Sequence, residues 1–78
     1  MSQGYSLSLV EANRQVNSRH LGVALGRVCI KARVPVMDVA MYFGVSRQAI
    51  YNWFKGVSHP RPSLTPEIEK YMEKIGRK

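Results

Sequence analysis

Ser46, Arg47, Gln48, Tyr51, Asn52 and Lys55 place six hydrogen-bonding side chains within ten residues of this chain. Gln48 and Asn52 each carry a carboxamide, a donor and an acceptor side by side, and they stand four residues apart, one turn of a helix. That pairing of donor and acceptor matches an adenine edge, while the guanidinium of Arg47 matches a guanine edge or a phosphate. Tyr51 suits a thymine methyl or a phosphate, Ser46 a phosphate, and Lys55 a phosphate as a point charge. Covalent chemistry has less to work with. There is one cysteine, Cys29, two histidines and five carboxylates, with no Ser, His and Asp arrangement and no glycine-rich phosphate loop. His20 and His59 make no recognised ligand spacing with Cys29. The expectation is a binding module and not an enzyme, with no catalytic residue, no metal and no cofactor.

The stretch 36–56, VMDVAMYFGVSRQAIYNWFKG, is what must position these side chains. Val36, Val39, Ala40 and Phe43 recur at i, i+3, i+4 and i+7, one face of a helix and not the alternation of a strand. Gly44 ends that helix, because glycine alone enters the left-handed region without steric cost. Ser46 is an N-cap for the next one, and Val45 lies at the offset that staples onto Ile50. A second helix from Arg47 to Lys55 then turns Ile50, Trp53 and Phe54 inward and leaves Arg47, Gln48, Tyr51, Asn52 and Lys55 for another surface; Gly56 closes it. The same spacing also suits two packed helices of an ordinary small bundle.

The arrangement is similar to the phage repressor and Cro family of helix-turn-helix domains, the lambda repressor-like or XRE family. Ala40, Gly44, Val45, Ile50 and Trp53 stand at that family's offsets, and the resemblance extends over residues 21–64. It implies an all-α fold, double-stranded DNA as partner, a homodimer, and a recognition helix 47–55 inserted in a major groove. Under it, Arg47, Gln48, Tyr51 and Asn52 read bases, and Ser46, Lys55 and Arg61 touch the DNA backbone, Arg61 from the loop after the motif toward a narrowed minor groove; a solvated linker charge is the plainer role for Arg61. Two departures stand out. The family often has Ser or Thr at the place of Pro35 and Gln at that of Val36, so those side chains cannot supply the phosphate clamp here, which leaves the backbone amides of the helix start to bind an anion. Some members also join two helices by an Arg to Glu pair where this chain has Cys29 and Phe54; replacing both charges together by apolar groups keeps a fold intact, so Cys29 is expected to pack at or near Phe54.

The elements around the motif follow from pattern and charge. The chain carries twelve basic against five acidic side chains, and residues 1–66 hold eight of the basic and only two of the acidic ones. Positive charge gathered around the motif suits a polyanion, through release of condensed counterions. Residues 1–17 read as an N-terminal arm or short extra helix. Leu21, Ala24, Leu25, Val28, Cys29 and Ala32 form a helical stripe behind Ser18 as a possible cap, and Pro35 ends that helix. Gly22 and Gly26 each weaken it by about 1 kcal/mol relative to alanine, which points to close approach of another segment. With Val23 and Ile30, they fit cover by the N-terminal arm or by a second subunit, or simply apolar residues left exposed. Pro60 and Pro62 stiffen an extended linker. Thr65 and Pro66 open a last helix whose Ile68, Tyr71, Met72 and Ile75 serve part core, part dimer contact.

The domain reading is therefore an arm or helix over 1–17, a DNA-binding core over 18–64 with its motif at 36–56, and a C-terminal helix with basic tail over 65–78. The fold expected is all-α, a compact four- to five-helix bundle with a central helix-turn-helix. One cysteine and the absence of a signal-peptide core or long apolar run point to no membrane and a cytoplasmic protein. The rival function is a small protein-interaction module, an inhibitor of a phage or host protein or an accessory factor in DNA packaging or recombination, using the Tyr51 and Phe54 face.

Overall fold

The computed structural model describes residues 7–15 and 20–76, which form an all-α bundle with no strand among them. Its helices are α1 (Leu7–Arg14), α2 (Leu21–Ala32), α3 (Val36–Phe43), α4 (Arg47–Lys55) and α5 (Thr65–Gly76), with one 3-10 turn at Pro62–Leu64. Ser18 lies outside the described residues. His20 takes the N-cap position of α2 without a side-chain cap. No helix among the described residues is long and apolar enough to cross a membrane.

The core centres on α2, which packs against α1, α4 and α5. Leu25 and Cys29 are fully buried in one cluster with Val39, Ile50, Phe54 and Ile68, so Cys29 and Phe54 share the apolar interior. The buried face of α2 is wider than its expected stripe: Val23 is fully buried, whereas Ala32 is exposed and Ala24 and Val28 are half-buried. The reason lies in the two glycines. A Cβ on Gly22 would come within 2.9 Å of Trp53 Cβ and of its carbonyl oxygen, and one on Gly26 within 2.6 Å of Asn13 Nδ2 and 2.8 Å of Phe54 Cγ. Their bare backbone lets α4 approach α2 closely, and α1 covers the neighbouring side. Close approach is thus the work of α4 as much as of the N-terminal segment.

Three helices end in the same way. The residue after each helix turns left-handed, and its N–H and that of the next residue donate to carbonyls of the last turn. For α3, Gly44 donates to Met41 O at 3.3 Å and Val45 to Ala40 O at 3.0 Å; for α4, Gly56 donates to Trp53 O at 3.1 Å and Val57 to Asn52 O at 2.9 Å. For α2, Arg33 donates to Ile30 O at 3.2 Å and Val34 to Cys29 O at 3.0 Å. Arg33, at φ 60, is the non-glycine residue of the three.

The linker after α4 departs from the extended form expected of it. Its second proline begins the 3-10 turn, in which Leu64 N donates to Arg61 O at 2.9 Å, and Leu64 folds back against the core. An apolar residue two places after Pro62 outweighs the extended preference of proline-rich sequence, because burying it gains more than the turn costs. From Thr65, α5 buries Ile68 and Tyr71, with Met72 and Ile75 partly covered.

Candidate nucleic-acid interface

Ser46 starts the site. Its hydroxyl accepts from Ala49 N at 3.1 Å, so α4 begins at Arg47 with one of its orphan amides satisfied. From there Ile50, Trp53 and Phe54 point inward and are buried, and the helix contains no acidic residue. Arg47 and Gln48, in its first turn, are exposed; Tyr51, Asn52 and Lys55 are half-buried, Tyr51 resting partly on the core. One helix therefore gathers Ser46, Arg47, Gln48, Tyr51, Asn52 and Lys55.

Gln48 Nε2 donates to Asn52 Oδ1 at 3.1 Å. The contact holds both carboxamides one turn apart, and each keeps a donor and an acceptor for a further partner. Asn52 has a second duty, since its backbone carbonyl accepts from Val57 N at 2.9 Å and Ser58 N at 3.3 Å and closes the helix. Arg61 stands apart from this group. It is exposed at the start of the 3-10 turn, and no hydrogen bond among the described residues ties its side chain to α4. The loop that carries it is held elsewhere, where the His59 ring stacks on His20 with centroids 4.5 Å apart.

Rings and one amide fix α4 against the bundle. Phe43 meets Trp53 edge-on at 6.0 Å and Tyr71 at 5.3 Å, linking α3, α4 and α5. Asn13, only 2 % exposed, donates from Nδ2 to Phe54 O at 2.7 Å and to Val23 O at 3.2 Å, so α1 binds the last turn of α4 and the first of α2 at once. Arg27 Nη2 in turn donates to the carbonyls of Asn13 at 3.2 Å and Arg14 at 3.1 Å, closing the end of α1. Sequence reasoning missed Asn13. Its trace there is indirect: two glycines a turn apart on α2 announce a close neighbour without naming it.

Burial pushes the Cys29 thiol up to about 12, so it stays protonated and unreactive. Burial likewise raises Tyr71, with Cys29, Asp38 and Tyr42 adding to the shift. No group of three or more His, Cys, Asp or Glu side chains among the described residues could hold a metal ion. Comparison with protein-family models, with curated proteins and with solved structures finds no match for this chain.

Proposed function

We propose that this chain is a sequence-specific double-stranded DNA-binding regulator that acts as a homodimer, with α4 entering the major groove. The observation that carries the reading is the outward side of α4: a capped helix start, Arg47 and Gln48 exposed in the first turn, and the Gln48–Asn52 amide pair behind them, with no carboxylate on the helix to repel a phosphate. Groove width admits a helix, and its N-terminal residues meet the base edges. Arg47, Gln48, Tyr51 and Asn52 read bases in this account, and Ser46, Lys55 and Arg61 hold the backbone. The family resemblance adds a phage or prophage regulator acting in the host cytoplasm.

A second reading, the protein-interaction module, loses the Tyr51 and Phe54 face expected for it, because Phe54 is fully buried and Tyr51 rests partly on the core; it has instead an observation of its own. Met37, Met41 and Tyr42 of α3 are 50 %, 74 % and 48 % exposed, and α3 is the helix without Lys or Arg, a surface suited to docking a protein. Salt separates the two. Fluorescence of Trp53, the single tryptophan, and anisotropy of labelled duplexes are measured against a randomised pool and a palindrome-enriched pool at two salt concentrations. Binding that selects a two-fold site and weakens steeply with salt supports the regulator. No binding even at low salt transfers the function to the α3 surface, whose apolar contacts would be nearly indifferent to salt.

A further inference from the structure

Arg33 occupies a backbone conformation that is otherwise taken by glycine among the described residues. At the ends of α3 and α4 the left-handed position is Gly44 at φ 68 and Gly56 at φ 77; at the end of α2 the same hydrogen-bonded closure is made with Arg33 at φ 60, the one non-glycine residue of positive φ among those described. A side chain there crowds its own backbone, and a free choice at a helix end falls on glycine. Arginine must therefore return something that glycine cannot. Burial does not supply it, because Arg33 is exposed at the rim of an open groove that it shares with Val28 and Ile75. Nor does an internal partner: among the described residues no carboxylate or carbonyl engages its guanidinium.

What Arg33 can meet is decided by where it stands. It lies in the turn between α2 and α3, two residues before the N-cap Pro35 of the first helix of the helix-turn-helix. When the second helix of such a pair lies in a major groove, the first crosses the phosphate backbone. The first turn of α3 is poor in groups for that crossing. Pro35 has no N–H, Val36 and Met37 are apolar, and Asp38 is an exposed anion. Arg33 is the nearest cation in sequence before that turn, with Lys31 exposed two residues further back.

Resting on the DNA-binding reading above, we infer that Arg33 is a phosphodiester contact, a backbone clamp supplied from the α2–α3 turn and held there at the expense of stability. Arg33→Gly relieves the backbone and removes the charge together, and two readouts separate the effects: melting reports the backbone and duplex binding reports the charge. Wild type, Arg33→Gly and Arg33→Lys are compared by thermal melting and by anisotropy on a random-sequence duplex over a salt series. Arg33→Gly is expected to melt a few degrees higher, to bind several-fold more weakly at low salt, and to show a log–log salt slope shallower by about one. Arg33→Lys should restore the slope. An unchanged slope and affinity for Arg33→Gly while wild type binds would overturn the clamp and leave α4 as the reading helix. A lower melting temperature would overturn the premise that arginine is kept against stability, and would assign its charge to the carbonyl end of α2. If wild type itself binds no duplex at low salt, the DNA reading fails first and the clamp falls with it.

Discussion

Asn13 is a polar side chain in an apolar place, and its two hydrogen bonds explain why it is tolerated. The carbonyls it meets, Phe54 O and Val23 O, belong to different helices, and Gly26 leaves the space in which its amide sits. Removing the amide takes a hydrogen bond from each of two buried carbonyls, so Asn13→Ala should lower stability by about 2 kcal/mol in urea unfolding. Asn13→Asp should be worse, because a carboxylate would face two carbonyl oxygens with no proton to share. An Asn13→Asp variant as stable as wild type would mean that shape matters there and donation does not. The outward amides obey a different logic. Gln48→Ala and Asn52→Ala should each cost about 1 to 3 kcal/mol on a selected site and little on random duplex, whereas Lys55→Ala should weaken both alike. Equal losses on both duplexes would remove Gln48 and Asn52 as readers.

The elements follow from local rules far more directly than their neighbours do. Gly44, Ser46 and Gly56 state the ends of α3 and α4 outright, and those helices run from Val36 to Phe43 and from Arg47 to Lys55. The inward set Ile50, Trp53 and Phe54 was legible for the same reason, a period of 3.6 within nine residues. Contacts between distant segments were legible only where the resemblance supplied them, as for Cys29 and Phe54; nothing local in residues 7–14 tells that Asn13 meets Phe54, 41 residues on. The end of α2 was legible only in part, because Pro35 signals a stop while Arg33 gives no sign of taking a glycine's conformation. Cys29 on α2 offers a test of how tightly the elements close. Its thiol is raised from 9.0 to about 12 by burial, so the folded state favours the protonated form. The sign follows: that stabilisation is fully present below pH 9 and is lost as pH climbs from about 9 toward 12, where the unfolded chain ionises and the folded one resists. Melting temperature should fall across that window, and Cys29→Ala, though less stable at pH 7 for its small cavity, should fall less steeply. Parallel curves would show that Tyr71, raised in the same direction, governs the alkaline limb.

At the scale of the molecule, charge and apolar surface pull in opposite directions. A chain of formal net charge +7 repels its own copy, yet a two-fold DNA site asks two copies to meet. On α5, Met72 and Ile75 are half-buried, leaving part of their surface for a contact beyond the core, while Glu67, Glu69 and Glu73 place on that same helix three of the five acids of the chain. Self-association through such a face is apolar contact opposed by long-range repulsion, and added salt screens the repulsion without weakening the contact. DNA binding has the reverse dependence, because each neutralised phosphate releases a counterion whose return is favoured by salt. The two equilibria of the proposed regulator should therefore respond to salt with opposite signs. Between about 50 and 500 mM salt, roughly a threefold change in Debye length, sedimentation equilibrium should show the dimer fraction rising while duplex anisotropy shows affinity falling steeply. A dimer that weakens with salt would be held by ion pairs, which would turn attention to the glutamates of α5 meeting basic side chains of the second copy. A chain that stays monomeric at every salt concentration, even at high protein concentration, would leave the two-fold site to be read by copies that meet only on the DNA.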